Sequence, residues 1–345
     1  MRLRVSSLGF GNVGRAVVEM LVEKEAVLRD RHGLEVVFTG ALTRRRGGWV
    51  APEGLTARQL YDSGWPTARG LPAGAQPFTG DGLAFAEGCE ADVLLELTTL
   101  SPSDGQPALS HVRSALEAGR HVVTANKGPI AHAYRQLREL AQQRGCLLRF
   151  ESTVMDGTPI FNLQQACLPA TEILGLEGVL NSTSNYILGR LALGETLEQA
   201  LSGAQRLGIA EANPAYDLEG WDASVKATVL ANVLMDADLR PDQVFREGLC
   251  AEAMVAAEAA RLPEQTLKQV VEVTREGGAV VARIRLVALP STSLFSRLRG
   301  MEAALLLHTD TLGDLTLVEG EGGPGQTALG VIADLVQLAA ELGRR

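Results

Sequence analysis

The sequence predicts an α/β protein whose first part is built on a parallel sheet and whose second part is a separate domain. Three observations support this prediction. The 345-residue chain is long enough for two domains, each with its own core. Strand-like and helix-like segments alternate over roughly the first 150 residues, which favours a parallel sheet with right-handed crossovers. A glycine-rich turn follows the first predicted strand at residues 9–14.

Hydrophobic periodicity predicts the elements of the first domain, at about residues 1–150. Residues 13–30 place Val13, Val17, Leu21 and Leu28 on one helix face. Residues 43–80 are rich in Arg, Gly and Pro, which predicts that they include surface loop beside the sheet. The other predicted elements are strands at 3–8, 35–42, 92–97, 121–126 and 146–153 and helices at 106–118 and 130–144.

The second region begins near Glu151 and mixes strand-like and helix-like segments. Residues 208–220 carry a loop-like composition, and a second glycine loop followed by a helical pattern covers 319–335. The further predictions are strands at 173–181 and within 279–308, and helices at 196–207 and 222–236.

Composition and charge argue against several classes of protein. The net charge of −9 disfavours nucleic acid or an anionic membrane as a main partner. No apolar run reaches the ~18 residues of a transmembrane helix, and the N-terminus lacks a signal-peptide core. The 4 cysteines and 5 histidines are scattered, which argues against a disulfide framework or a zinc site. We therefore expect a soluble cytoplasmic protein that acts on a small molecule.

The turn GFGNVG fits the G-x-G-x-x-G pattern of dinucleotide-binding sheets. Its first glycine allows the tight turn, the second allows close approach of a pyrophosphate, and the third allows the helix to pack on the strand. The free N–H groups of the helix N-terminus then face the phosphates. A purely structural glycine turn is the alternative. The predicted cofactor-binding residues here are Gly9, Phe10, Gly11, Asn12, Val13 and Gly14.

The end of the second strand favours NADP(H) over NAD(H). NAD-binding domains usually place an acidic residue there for the ribose hydroxyls. Here the strand runs into Thr43 and three arginines beginning at Arg44, while Glu35 lies at the start of the strand. Arginine at this position suits a 2′-phosphate, although a solvated loop would also account for it.

Two lysine segments carry the predicted chemistry. Lys127 follows a buried strand at the carboxyl end of the sheet, the edge where such sheets bind ligands. Lys226 lies four residues after Asp222 on an otherwise apolar helix, so both side chains share one face, with Glu211 and Asp217 just upstream. Buried charges are costly unless they are paired or line a polar cleft. A surface lysine and a structural ion-pair cluster, respectively, are the alternatives.

Lysines and carboxylates beside a dinucleotide indicate oxidation of an alcohol or reduction of an aldehyde. That reaction needs a nicotinamide and a group that moves the hydroxyl proton, and a lysine serves if burial or another cation lowers its pKa from about 10.4. Nearby carboxylates suit a substrate ammonium group. Hydrolase chemistry has no comparable support, because the sequence contains no G-x-S-x-G motif.

In this order, the motifs resemble the homoserine dehydrogenase family over nearly the whole chain. The matching segments are GFGNVG at 9–14, TANKGP at 124–129, ESTVMDGTPI at 151–160, GVLNSTSNYIL at 178–188, AEANPAYDLEGWDASVK at 210–226 and GGPGQTALGVIADL at 322–335.

The resemblance implies a Rossmann-type sheet, an α+β catalytic and dimerisation domain at about 151–320, and a C-terminal helix at about 325–345 that returns to the first domain. It implies a homodimer that interconverts L-homoserine and L-aspartate 4-semialdehyde on the route to threonine and methionine. Lys226 matches the proton-transfer lysine, and Lys127 matches a lysine near cofactor and substrate. The substrate-binding positions matched are Glu211, Asp217, Asp222 and Thr183; those near the nicotinamide are Thr98, Thr99 and Gly325; those of a monovalent cation site, usually Na⁺, are Glu151, Val154, Asp156 and Thr158.

Some positions depart from the family pattern. Ser182 replaces a glycine, which narrows the expected substrate pocket, and Ile209 replaces a tyrosine. A regulatory domain that many members carry does not follow the last predicted helix, so we do not expect threonine feedback through such a domain. Two rival functions therefore remain: a dehydrogenase of a related hydroxy or amino acid, and a catalytically silent dinucleotide-binding regulator.

Overall fold

The chain folds into two compact units, Met1–Asn162 together with Gly323–Arg345, and Leu163–Gly322. The computed structural model describes residues 1–64, 70–210, 213–250, 254–255 and 264–344. The C-terminal helix thus belongs to the same unit as the N-terminal sheet.

In the first unit, strands alternate with helices along most of the chain. Its strands are β1 (Arg2–Leu8), β2 (Glu35–Thr43), β3 (Gly47–Thr56), β4 (Gln76–Phe78), β5 (Val93–Glu96), β6 (His121–Thr124) and β7 (Leu148–Arg149). Its helices are α1 (Asn12–Glu23), α2 (Glu25–His32), α3 (Ala57–Asp62), α4 (Gly82–Gly88), α5 (Ala108–Glu117) and α6 (Lys127–Arg144), and the C-terminal helix, α12 (Pro324–Leu342), completes it. Helix α7 (Phe161–Cys167) begins in this unit and ends in the next.

The sheet of the first unit has the strand order β4-β3-β2-β1-β5-β6-β7. The pairs from β2 through β1, β5 and β6 to β7 are parallel, and β3 and β4 add antiparallel strands at one edge. After β1 the chain proceeds to β2 on one side and returns to β5 on the other. This change of direction leaves a crevice between the carboxyl ends of β1 and β5, where open α/β sheets bind ligands.

Helices cover both faces of this sheet. On one face, α1 and α12 bury side chains such as Val17 and Leu335 against Leu3 and Val5 of β1. On the other face, α5 and α6 pack on β5 and β6. Leu116 of α5 and Leu94 of β5 belong to one buried cluster there. Parallel strands buried on both faces have continuous apolar runs in their sequence, which is the pattern of Val93–Leu95 in β5.

The structure corrects part of the secondary-structure prediction for the first domain. Residues 43–80 contain more than the predicted surface loop, because β3, α3 and β4 lie there. Glycines and Pro52 hide strand β3 in the sequence; Pro52 is tolerated because the β2–β3 register shifts there. The helix predicted at 13–30 is two helices that meet at Lys24. The strand predicted at 146–153 is only Leu148–Arg149, followed by a 3₁₀ turn.

The second unit is an α+β layer structure. Its sheet has the order β13-β12-β8-β10-β11-β9. Helix α11 packs on β10 and β11, which places its buried residues against this sheet. The strands are β8 (Ile173–Val179), β9 (Phe245–Arg246), β10 (Gln265–Glu276), β11 (Ala279–Pro290), β12 (Ala303–Thr309) and β13 (Asp314–Glu319), and the helices are α8 (Ser182–Leu191), α9 (Leu197–Arg206), α10 (Ala215–Leu218) and α11 (Trp221–Leu234).

The sequence had not predicted β10, β13 or the short helix α10. Strand β10 does not alternate regularly between apolar and polar residues, because Lys268 and Gln269 are adjacent, and this hides the strand until its pairing with β11 is seen. Helix α10 is a single turn inside the predicted loop at 208–220.

Candidate active site

The glycine turn between β1 and α1 has the geometry that a bound pyrophosphate requires. Gly9 has a left-handed φ of +88°, and a Cβ there would lie 2.3 Å from the Leu97 carbonyl oxygen, so only glycine fits. A Cβ at Gly11 would meet no protein atom within 4 Å, which leaves open space above the turn. The third glycine, Gly14, is buried against the Gly9 carbonyl. No side chain caps the first turn of α1, which begins at Asn12, so its N–H groups suit an anion.

The same turn is joined to the end of β2. The Gly9 amide donates a hydrogen bond to the Leu42 carbonyl at 2.9 Å. Beyond Leu42, the chain turns at Arg44 to enter β3, and the turn is closed where Thr43 pairs with Gly47. Arg44 is exposed beside the glycine turn, while Glu35 lies at the opposite edge of the sheet.

The carboxyl ends of β5 and β6 place Thr98 and Lys127 at the same edge. The Asn126 side chain donates to the Thr98 carbonyl at 3.1 Å and accepts from the Gly128 amide at 3.0 Å, which caps helix α6. Lys127 is the first residue of α6 and is partly buried. Thr99 is exposed at the surface of this edge. The predicted residues Thr98, Thr99 and Lys127 therefore lie just after the carboxyl ends of two neighbouring strands, β5 and β6.

Lys226 of α11 is fixed by two oxygen atoms. Its ammonium group donates to the Leu180 carbonyl at 2.6 Å and lies 3.3 Å from Asp222 Oδ2. The Lys226 and Asp222 side chains are only 15% and 11% exposed. The rest of the helix is mostly buried, and Asp222 and Lys226 are its only charged residues. The spacing of four residues had predicted this pair.

The amide of Asn181 links the two aspartates of the site. Asn181 Nδ2 donates to Asp217 Oδ1 at 2.8 Å and to Asp222 Oδ2 at 2.9 Å. Burial raises the pKa of Asp217, and the neighbouring Asp222 raises it further, while the hydrogen bond from Asn181 opposes both effects. The sequence analysis missed Asn181. The available signal was an asparagine directly after a predicted strand and before a helix, the typical position of a helix N-cap.

Thr183 completes the described part of this cluster. Its hydroxyl donates to the Ile209 carbonyl at 3.2 Å and lies within hydrogen-bonding reach of Asp217. Glu211, also predicted to bind substrate, lies outside the described residues. Ser182 directs its hydroxyl to the Met301 carbonyl at 3.0 Å.

Tyr216 is a second residue that sequence analysis missed. Its hydroxyl oxygen is buried and has no hydrogen-bond partner among the described residues. Burial raises the pKa of Tyr216, and the carboxylates of Asp222 and Asp217 raise it further. A tyrosine directly before Asp217 in AYDLEGWD was the signal in the sequence.

The segment predicted to bind a cation packs against helix α12 within the first unit. The buried Glu151 carboxylate accepts three main-chain N–H groups, those of residues 160–162, and Asp334 accepts the Glu151 amide at 2.8 Å. Asp156 has a left-handed φ of +42° and accepts from the Gly323 amide and the Thr327 hydroxyl at 2.9 and 2.8 Å. In the described part of the chain, no cluster of three or more His, Cys, Asp or Glu side chains suits a metal ion. A site on the main-chain oxygens of Val154, Asp156 and Thr158 stays a prediction.

Gly325 is the second residue of α12. A Cβ there would meet nothing within 4 Å, so the protein fold alone does not require glycine at this position. Its predicted place near a nicotinamide stays a prediction.

Comparison with known proteins identifies the family. A model of the homoserine dehydrogenase catalytic domain matches residues 159–336, and a model of the homoserine dehydrogenase NAD-binding domain matches residues 9–151. The chain belongs to the homoserine dehydrogenase family. It is accordingly a dinucleotide-dependent oxidoreductase that acts on a CH–OH group.

Three homoserine dehydrogenases illustrate the similarity. The NAD(+)-dependent homoserine dehydrogenase of Pseudomonas canavaninivorans is 32% identical, over 99% of this chain and 97% of its own. The crystal structure of a putative homoserine dehydrogenase from Archaeoglobus fulgidus has a TM-score of 0.81 and 27% identity, over 98% of this chain and 99% of its own. A hyperthermophilic archaeal homoserine dehydrogenase in complex with NADPH has a TM-score of 0.81 and 26% identity, over 99% and 98%.

The two sheets of this chain and its similarity to solved homoserine dehydrogenases confirm the predicted fold class. That class is a parallel sheet domain with a second α+β domain. Among the described helices, none is long and apolar enough to cross a membrane.

Proposed function

We propose that this chain interconverts L-homoserine and L-aspartate 4-semialdehyde, with Lys226 as the proton-transfer group. The observation that carries this proposal is the position of the Lys226 ammonium, which is fixed between the Leu180 carbonyl and Asp222 on an apolar helix. A buried amine held in one direction is suited to exchange a proton with a single substrate oxygen.

In the reductive direction, the aldehyde carbon gains a hydride and the oxygen gains a proton. A bound nicotinamide dinucleotide supplies the hydride. Lys226 Nζ donates the proton to the oxygen as the C=O bond becomes CH–OH, and the resulting amine regains a proton from water. Asp222 stabilises the ammonium before transfer and keeps it oriented. Lys127 adds positive charge near the developing alkoxide, which lowers the barrier electrostatically. In the oxidative direction Lys226 accepts the hydroxyl proton.

The carboxylates beside Lys226 suit the ammonium group of an amino-acid substrate. Asp217 is held by Asn181, and its raised pKa reflects an anion that is buried next to a second anion. A substrate cation would relieve this repulsion. Thr183 and Asp217 are therefore proposed to bind the substrate together with Glu211, and Asp222 to hold the lysine.

For the cofactor, we propose NADP(H) in preference to NAD(H). Arg44 follows the end of β2 beside the glycine turn, and the segment from Val36 to Gly47 contains no acidic residue that would pair with ribose hydroxyls. Relatives of both kinds are known by name, since one is NAD(+)-dependent and another is in complex with NADPH.

We also propose that the second unit mediates a homodimer and that Na⁺ binds the 151–158 segment. Exposed apolar side chains on its sheet and turn, Leu174, Leu312 and Val318, support the first proposal. The second proposal is supported by the left-handed φ at Asp156, which gives the main chain of this segment an irregular course. Sedimentation equilibrium tests the dimer, and rates in NaCl against N-methyl-D-glucamine chloride test the cation.

The proton-transfer role of Lys226 is tested by replacing it with alanine and with methionine, which keeps the apolar stem. We expect kcat for L-homoserine oxidation to fall by about a hundred- to ten-thousand-fold, with NADPH binding by fluorescence unchanged. Lys24→Ala is the matched control, because Lys24 is exposed at the junction of α1 and α2. Wild-type turnover in Lys226→Met excludes the assigned role.

Substrate identity is tested by initial rates with L-homoserine and with other hydroxy amino acids, each against NADP⁺ and NAD⁺. The proposal requires the highest kcat/KM for L-homoserine. Activity confined to another hydroxy amino acid would show that L-homoserine is not the substrate. Cofactor binding without turnover of any tested hydroxy amino acid would indicate a catalytically silent binding protein.

A further inference from the structure

Glu96, the last residue of β5, is a fully buried carboxylate that the proposed chemistry does not use. Its Oε1 accepts the hydroxyl hydrogen of Thr98 and also the Thr98 amide, the latter at 3.3 Å. The Thr124 hydroxyl donates to the Glu96 main-chain oxygen at 2.9 Å, which ties β6 to the same point. The carboxylate thus fixes both the backbone and the side chain of Thr98.

His111 of α5 is the titratable group that faces this carboxylate. His111 Nδ1 lies 3.6 Å from Glu96 Oε1, and the two side chains are 7% and 0% exposed. The main chain at Gly82 packs against the other side of the ring, since a Cβ there would lie 2.4 Å from His111 Nε2. In the bond between these side chains Thr98 Oγ1 is the donor and Glu96 Oε1 the acceptor, so the shared hydrogen belongs to threonine.

Thr98 lies at the crevice where the strand order reverses. The position of a Cβ on Gly9 is 2.8 Å from the Thr98 amide nitrogen, so the loop after β5 passes directly beside the glycine turn after β1. A dinucleotide bound to that turn crosses this crevice, with its second half over β5 and β6. Thr98 is half-buried. Asn126 Nδ2 donates to its carbonyl at 3.1 Å and to its hydroxyl oxygen at 3.5 Å, which leaves one lone pair of that oxygen for a further donor.

We propose that Glu96 is a positioning residue that turns the Thr98 hydroxyl hydrogen inward and leaves the Thr98 oxygen as an acceptor for the carboxamide NH₂ of the nicotinamide. This inference rests on the proposed binding of the dinucleotide across the crevice. Glu96 acts through Thr98 and does not touch the cofactor itself. The nicotinamide ring is thereby held in one rotational orientation, since its carboxamide NH₂ and not its C=O meets Thr98.

Cofactor analogues separate this role from a merely structural one. Thionicotinamide adenine dinucleotide phosphate keeps the NH₂ group, whereas the 3-acetylpyridine analogue replaces it with a methyl group. Affinities are measured by displacement of NADPH fluorescence, and kcat/KM with L-homoserine is measured for each. We expect the wild type to bind the acetylpyridine analogue about tenfold more weakly than it binds the thionicotinamide analogue or the natural cofactor. This difference corresponds to one lost hydrogen bond that leaves an acceptor unpaired.

The variants then locate the source of this discrimination. Thr98→Val removes the acceptor and should abolish it. Glu96→Ala and Glu96→Asp free the Thr98 hydroxyl to rotate and donate, so the discrimination between the analogues should fall to about twofold or less. Aspartate keeps an acid beside His111, and this variant is used if the alanine variant fails to fold. Glu96→Gln keeps an acceptor oxygen at the same reach and should restore most of it. Thr274→Val, on β10 of the second unit, is the matched control for a threonine-to-valine change.

Each result bears on a different claim. Wild-type discrimination in Glu96→Asp with loss in Thr98→Val overturns the role of Glu96 but leaves the dinucleotide site in place. Discrimination that survives in Thr98→Val, or that is absent from the wild type, overturns the contact with the carboxamide. Failure of the wild type to bind NADPH at all overturns the proposed cofactor site.

Discussion

Asn181 donates its side-chain amide to Asp222 across 2.9 Å, which joins the start of α8 to the first turn of α11. The same nitrogen donates to Asp217 at 2.8 Å, so one neutral group lies between the buried carboxylate of Asp222 and the partly buried carboxylate of Asp217. An amide donor stabilises the charged form of each acid. The electrostatic balance of the site therefore depends on Asn181 as well as on Lys226.

Replacing Asn181 with alanine should move the acid limb of the kcat/KM profile to higher pH. Burial and Asp222 raise the pKa of Asp217, and the hydrogen bond from Asn181 lowers it. An acid whose folded pKa is raised loses its charge at a higher pH, so without Asn181 the substrate ammonium loses its partner sooner as pH falls. We expect about a tenfold larger loss of kcat/KM at pH 6 than at pH 9, which a pH profile with L-homoserine measures.

Loss of a helix cap must be separated from this electrostatic effect. Asn181 also caps α8, because its Oδ1 accepts from the Ser184 amide at 2.7 Å, so the variant should lose about 1 kcal/mol of stability. Thr196→Ala removes the equivalent cap of α9 at Gln199 and should cost similar stability without moving the profile. Parallel profiles for wild type and Asn181→Ala contradict the role of the amide.

Arg44→Ser should shift the cofactor preference from NADP⁺ towards NAD⁺. If Arg44 binds the 2′-phosphate, KM for NADP⁺ should rise by about tenfold or more while KM for NAD⁺ stays within about twofold, since an exposed charge-assisted contact is worth about 1.5 kcal/mol. Steady-state rates with both cofactors measure this. Arg58→Ser is the control, an exposed arginine on α3. An equal change in both KM values argues for a general effect on the turn.

Gly11→Ala should separate cofactor binding from folding. A Cβ at Gly11 meets no protein atom within 4 Å, so the variant should keep wild-type stability, but the methyl group would occupy the space of the pyrophosphate. We expect NADPH affinity to fall by at least about tenfold in a fluorescence titration. Gly88→Ala, where the Cβ is equally unobstructed, should change neither property. Normal NADPH affinity in Gly11→Ala places the pyrophosphate elsewhere.

The sequence predicted those parts of the site that depend on local spacing. The glycine turn follows from three glycines between a strand and a helix, and the Lys226–Asp222 pair follows from a four-residue interval on an apolar helix. Lys127 was predicted at the carboxyl end of the sheet because the strand before it is buried. In each case one segment contains the whole signal.

Contacts between distant segments could not be predicted in this way. Asn181 and Asp217 are 36 residues apart, and only the packing of α8 against α10 brings them together. The bond from the Glu151 amide to Asp334 spans 183 residues. Strand β3 was missed because its glycines and Pro52 are typical of loops, while its pairing with β2 is a tertiary property.

Asp334 should make the stability of the first unit depend on pH. Its side chain is 1% exposed, and burial raises its pKa to about 7, with the nearby Glu151 carboxylate adding to the shift and the Glu151 amide opposing it. An acid with a raised folded pKa favours the protonated, folded form. Its contribution to stability is therefore full below about pH 4 and is lost as pH rises towards 7.

The measurement is the free energy of unfolding in denaturant for wild type and Asp334→Asn at several pH values from 4 to 8. Relative to the variant, the wild type should lose up to about 4 kcal/mol over that range, because a shift of about three pKa units corresponds to that energy. Asp62→Asn, at an exposed position at the end of α3, controls for loss of a carboxylate. A difference that does not change with pH would show that Asp334 stays ionised in its buried position, so that its bonds to Glu151 and Asn162 outweigh desolvation.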